Sequence, residues 1–202
     1  VSATGRGAER DPRDHYPTPA WLTRAVLPTL KARLQAIHHW PPRVYEPACG
    51  DNLAIVKVLT KEWPEAQVEY SDIIPEHGGV DFLTATPEPI FDLVITNPPY
   101  KYAQEFAQRS RLWLRQHHVR HLGGDIPGLV SLLLRINFYG SIKRAEWLRN
   151  DTPNMAVSPK RPVMGVNKHG KPGTDATEYA WLTWPSWDPM ITILETEDIE
   201  GR

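Results

Sequence analysis

The run at 128–139, GLVSLLLRINFY, limits the fold more than any other part of this chain of 202 residues. Its apolar residues are continuous instead of alternating with polar ones, so a strand built from them is apolar on both faces. Such a strand is stable only in a sheet covered on both sides. Strand-favouring runs precede it at 43–46 (RVYE), 67–74 (QVEYSDII) and 91–97 (FDLVITN), and follow it at 154–163 (NMAVSPKRPV) and 177–184 (TEYAWLTW). Segments of helical period separate them at 18–37, 52–63, 103–117 and 141–150. In the first of these, Leu22, Val26, Leu30, Leu34 and Ile37 share one face, Thr18 is placed to cap, and Pro28 should kink or split the helix. The stretch 164–175, MGVNKHGKPGTD, reads as a loop rich in Gly and Lys. Strands alternating with helices predict an α/β fold with a largely parallel sheet, in one domain over 15–202 after a loose arm at 1–14.

In such sheets ligands sit beyond the C-terminal ends of the strands. EPACGDN at 46–52, SDII at 71–74 and NPPY at 97–100 should therefore face one crevice. Gly50 lets the backbone approach a ligand closely, and Asp51 or Asn52 can cap the following helix. Asp72, some twenty residues later, suits both hydroxyls of a ribose. Asp81 can accept from an adenine amino group, with Phe82 or Ile73 against the ring. No Gly-x-x-x-x-Gly-Lys-Ser/Thr occurs, so the nucleoside cofactor should lack a polyphosphate. S-adenosylmethionine fits, with its ammonium at Glu46 and its carboxylate at a donor such as Thr18.

The third strand stops at two prolines, which cannot donate to a ladder. Asn97 is pushed to an extended backbone by the following proline. Its side-chain carbonyl and the main-chain carbonyl of Pro98 are two acceptors for one –NH₂ group, on a bend that Pro99 stiffens. An aromatic amine is a poor nucleophile, because its lone pair is delocalised into the ring. Accepting both N–H bonds favours a tetrahedral nitrogen, and Tyr100 offers a flat face for the base. This is catalysis by orientation and preorganised dipoles, without an obligatory base.

The formal net charge is −1, but it is unevenly spread. Residues 101–171 hold 13 Lys and Arg against 4 Asp and Glu, a net +9; residues 1–100 are net −4 and 172–202 net −6. A basic middle segment predicts contact with nucleic-acid phosphates, at Lys101, Arg161, Lys168 and Lys171. No apolar run approaches the roughly 20 residues of a membrane helix, and a secretory leader is not expected. The single cysteine, Cys49, fits a cytoplasmic protein. His117 and His121 lack a wider ligand set, so no metal is expected.

These residues resemble the amino-methyltransferases that use S-adenosylmethionine, above all the DNA adenine (N6) enzymes and their small phage and prophage members. NPPY, Asn97 to Tyr100, matches their catalytic tetrapeptide. EPACGDN, with Glu46, Ala48, Cys49 and Gly50, looks like their cofactor loop. Asp72 looks like the ribose carboxylate, and DFL at 81–83 like the adenine-binding segment. YPTP, with Tyr16 and Thr18, looks like the element at the methionine end of the cofactor. The resemblance covers most of 15–185. It implies a class I, Rossmann-like fold: a seven-stranded, mostly parallel sheet with helices on both faces. It further implies methylation of adenine in double-stranded DNA, flipped out of the duplex onto Asn97. No large recognition domain is left after residue 100, so a short or relaxed target sequence is expected. An RNA or protein-glutamine substrate, or a nucleic-acid-binding module without catalysis, stays open.

Overall fold

The computed structural model describes residues 17–119, 124–166, 172–174, 177–186 and 189–195. In chain order the elements are α1 (Ala20–Ala36), β1 (Arg43–Glu46), α2 (Ala54–Glu62), β2 (Gln67–Tyr70), β3 (Leu93–Thr96), α3 (Ala103–Ser110), β4 (Gln116–Val119) and β5 (Gly124–Pro127). Then come β6 (Leu129–Arg135), α4 (Ile142–Asn150), β7 (Asn154–Val157), β8 (Val163–Val166), β9 (Pro172–Thr174), β10 (Tyr179–Trp184) and β11 (Ile191–Ile193). Seven strands form one sheet in the order β11-β7-β10-β6-β3-β1-β2. All neighbours in it are parallel except β10, which runs antiparallel to both β6 and β7. β4 with β5, and β8 with β9, are separate antiparallel ribbons.

The continuous apolar run at 129–135 becomes β6, in the middle of the sheet and buried on both faces. Leu129 and Leu133 belong to one core with Leu22, Val26, Leu30 and Leu34 of α1 and Ile55 and Leu59 of α2. Val130, Leu132 and Leu134 point the other way, into a second core with Phe106 of α3 and Leu148 of α4. β3 divides likewise, Leu93 and Ile95 to the first core and Val94 to the second. The buried indole N–H of Trp181 donates to the Leu22 carbonyl at 2.9 Å and ties α1 to β10.

Several local expectations need correction. α1 runs unbroken through Pro28. Pro28 and Arg24 are both on the exposed face, so water can serve the Arg24 carbonyl that loses its helical donor. Pro19 stands at the helix N-cap with no side-chain cap, and the buried Thr18 faces a cavity instead. The third helical segment stops early: after a 3₁₀ turn, Arg115 N–H donates to the Phe91 carbonyl at 2.8 Å, which pulls the chain alongside β3. Part of the expected loop at 164–175 lies in β8 and β9.

Candidate functional site

The ends of β1, β2 and β3 do open on one cavity, of about 660 Å³. Its first wall is the turn after β1. Cys49 N–H donates to the Ser71 carbonyl (3.1 Å) and Ser71 N–H to the Glu46 carbonyl (3.0 Å), closing the turn onto the end of β2. Gly50 then adopts φ 61°, where a side chain would be strained. Its N–H donates to Asp72 Oδ2 at 2.8 Å. The N-cap of α2 is Leu53, in the left-handed region at φ 52° and without a side-chain cap, so neither Asp51 nor Asn52 takes the expected cap position; Asn52 Oδ1 instead accepts from Ala54 N–H at 3.1 Å in a local turn.

The second wall follows β2. Asp72 Oδ1 accepts from Ile74 N–H at 3.2 Å, so each carboxylate oxygen holds one backbone donor. Each retains a further lone pair, and the carboxylate borders the cavity with both oxygens fixed in place. Ile73 lies beside it, 67% exposed, an apolar surface that nothing in the fold requires. Asp81 Oδ1 accepts from Leu83 N–H at 3.0 Å in a tight turn at the rim. Phe82 is buried in an aromatic group, 4.9 Å from Phe106 and 5.6 Å from Trp113 between ring centroids. The Arg109 guanidinium, bound to the carbonyls of Phe82 and Ala85, anchors this turn from α3.

Glu46 is the most unusual group present. Its side chain borders the cavity yet is 1% exposed, and no hydrogen bond of ordinary geometry reaches either oxygen. Burial raises its pKa well above 4.5, the Thr96 hydroxyl opposes this, and Asp72 adds to it. A buried carboxyl with no donor beyond the Thr96 hydroxyl is expensive for a fold to keep. It is explained if the cavity receives a cationic or N–H-bearing group. The neighbouring Cys49 thiol is pushed up to about 12, by burial first and then by Glu46 and Asp72. It stays protonated, so Cys49 is packing in the turn and not a nucleophile.

Of the residues expected around the cofactor, Thr18, Glu46, Ala48, Cys49, Gly50, Asp72, Ile73, Asp81, Phe82 and Asn97 all line this one cavity. Tyr16 lies outside the described residues. Of the catalytic bend, Asn97 and Pro99 line the cavity; Pro98 is buried beneath. Tyr100 is turned inward, its ring 6.0 Å from that of Tyr179 and under the Arg135 guanidinium at 4.7 Å. It is not a cavity-lining residue, whereas Tyr102, 40% exposed, is one. Leu83 and Phe106 also line the cavity but carry no signal distinguishing them from ordinary core residues.

The expected phosphate contacts separate. Lys101 lines the cavity, with its ammonium 4.6 Å from the Tyr102 ring centroid. Arg161 is taken by Glu178, to whose Oε1 it donates from Nε (3.0 Å) and Nη2 (2.6 Å). Lys168 and Lys171 lie outside the described residues, as does His121. Among the described residues no group of three or more His, Cys, Asp or Glu could hold a metal, and no helix is long and apolar enough to cross a membrane.

No protein-family model matches the sequence, and no curated protein matches it. Similarity appears in solved structures. One is a provisionally assigned class I S-adenosylmethionine-dependent methyltransferase from Listeria monocytogenes, at TM-score 0.53 and 11% identity over 89% of this chain and 66% of the other. A second is the modification subunit of a provisionally assigned type I restriction enzyme from Vibrio vulnificus, at TM-score 0.51 and 15% identity. There the match covers 93% of this chain but 48% of the subunit, so the chain spans about half its length. A third is a protein from Agrobacterium tumefaciens predicted to be an O-methyltransferase, at TM-score 0.51 and 12% identity over 92% and 90% of the two chains. With its sheet of seven strands and its single reversed strand β10, the chain has the Rossmann-like fold of class I S-adenosylmethionine-dependent methyltransferases.

Proposed function

We propose that the chain binds S-adenosylmethionine and methylates the exocyclic amine of adenine in double-stranded DNA, with short or relaxed sequence specificity. The observation that carries this reading is the meeting of Asn97 with Glu46 and Asp72 in one cavity. The cavity's chemistry fits the cofactor. Glu46 is a buried acceptor for an ammonium group, and Asp72 presents two fixed oxygens for a pair of hydroxyls. Asp81 and Ile73 offer an acceptor and an apolar face for a purine. When bound there, the cofactor would supply a methyl group on a cationic sulfur that leaves as a neutral thioether, and the methylated amine would release one of its two protons to solvent.

The chain's own part in the reaction is orientation. Asn97 Oδ1 and the Pro98 carbonyl accept the two N–H bonds of the target amine, which turns its lone pair out of conjugation. The stiff Pro98-Pro99 bend fixes both acceptors before the substrate arrives, so little reorganisation is needed in the transition state. A duplex hides this amine in its stack, so the base must leave the helix to reach Asn97. The solved restriction-modification relative in fold supports DNA as the substrate class.

Incubation with methyl-labelled cofactor and DNA, RNA or protein, followed by digestion, tests the reading. N6-methyladenine in DNA is the expected product. Label in RNA, in protein, or in cytosine would overturn it. Asn97→Ala should abolish transfer while calorimetric binding of the cofactor survives; near-normal turnover would remove Asn97 from the mechanism.

A further inference from the structure

Beside the cavity lies a second concavity, of about 510 Å³, between α1, α2 and Val163 at the start of β8. Arg24 of α1 and Lys57 and Lys61 of α2 line it, and no carboxylate does. Lys57 and Lys61 are four residues apart, so they stand on one face of α2 about 6 Å apart along its axis. Among the described residues none of these three cations is in an ion pair. Thr18 and Asn52 belong to both concavities, so the basic groove runs into the cavity that holds Asn97.

Three exposed cations without an ion pair or a lining carboxylate leave this groove positive, the sign that complements a phosphate backbone. We propose that this groove holds the sugar-phosphate backbone of DNA as it enters the cavity. The proposal rests on the reading of the chain as a DNA methyltransferase, and it assigns the phosphate contacts to a surface other than Arg161, which Glu178 already occupies. A backbone contact of this kind positions the duplex and carries no direct sequence information. It is consistent with the relaxed specificity proposed above.

The test is binding of a fluorescent DNA duplex of about 20 base pairs by the whole chain, as salt is raised from 50 to 200 mM. The double variant K57A/K61A should bind every sequence more weakly. Its plot of log affinity against log salt should be flatter by about 1.8, since each lost phosphate contact removes about 0.9. Across that fourfold salt range the wild type should therefore lose about 12-fold more affinity than the variant. K57R/K61R should restore the slope, and R24A should flatten it by about 0.9 more. Calorimetric binding of S-adenosylmethionine, unchanged in K57A/K61A, shows that the fold is intact; the single variants K57Q and K61Q give the same reading at half the size.

An unchanged slope overturns the proposal, as does a loss confined to one sequence. Binding of an RNA hairpin or an acidic peptide through these lysines, with DNA held equally by wild type and variant, overturns it as well. Binding is read without turnover, so the two readings fail separately. DNA held through the groove but methyl label found elsewhere overturns the function alone. DNA methylated by a chain whose salt slope ignores Lys57 and Lys61 overturns the groove alone.

Discussion

Replacing Glu46 with Gln removes a charge that the fold penalises, and stability measured against pH reads that penalty directly. The carboxyl is 1% exposed, and burial, aided by Asp72, holds its pKa well above 4.5. In the unfolded chain it titrates near 4.5. Below that value it is neutral in both states. Between that value and the folded one, the native protein keeps the proton and the unfolded chain has lost it. Folding then takes up a proton, so stability falls as pH rises, and the full loss is reached above the folded pKa. One proton corresponds to about 1.4 kcal/mol per pH unit at 25 °C. Glutamine has nearly the shape of the neutral acid and does not titrate. Urea unfolding without cofactor at pH 5, 6 and 7 should show the variant gaining on the wild type by up to about 1.4 kcal/mol per unit. Groups common to both proteins cancel in the difference. The same substitution should weaken S-adenosylmethionine binding by about 1.5–3 kcal/mol, the range for a hydrogen bond to a charged group. Stability curves that stay parallel with pH would show that Glu46 titrates as an exposed carboxylate does, and would refute the reasoning.

Three further outcomes follow from the geometry. Cys49, with its pKa pushed up from 9.0 to about 12, should react with iodoacetamide at pH 8 about a thousandfold more slowly than an unshifted thiol, as mass spectrometry against a reference peptide would show. Gly128→Ala should cost about 3 kcal/mol or more in urea unfolding, because a Cβ there would sit 2.3 Å from the backbone carbonyl oxygen of Asp92, the residue that leads into β3. Trp181→Phe should cost about 1–3 kcal/mol by the same measurement, since it deletes the buried bond that holds α1 to β10.

What could be read from the sequence, and what could not, divides by the range of the forces involved. The strand ends are local events. A glycine at φ 61°, an Asn that turns the chain just ahead of α2 and a double proline after Asn97 each act within a few residues, so their positions announce the crevice. The continuous apolar run at 129–135 likewise states its own burial on both faces. Side-chain direction is set from afar. Tyr100 turns inward because Arg135 and Tyr179, more than thirty residues away, pack against it, and no tetrapeptide contains that information. β11 is three residues long and exposed, and owes its existence to pairing with β7. Thr18 shows both limits at once: its place ahead of a helix marks it as a cap, yet the fold buries it against the cavity.

Charge summed along the chain does not say where cations gather in space. Residues 101–171 carry the +9 surplus, and a linear sum places the phosphate-binding surface there. Folding cancels part of that surplus locally. Arg161 meets Glu178, Arg111 meets Asp151, and Arg115 meets the buried Asp92. Meanwhile Arg24, Lys57 and Lys61 come from the first hundred residues, a stretch that is net −4, and line one groove without a carboxylate among them. An anion responds to charges within roughly 8–10 Å at physiological salt, not to a sum over sequence. The potential that the proposed duplex would meet is therefore set by which cations the two helices leave unpaired at the cavity's edge. By that measure α1 and α2, which also carry one wall of the core, are the elements that join the scaffold to the proposed substrate.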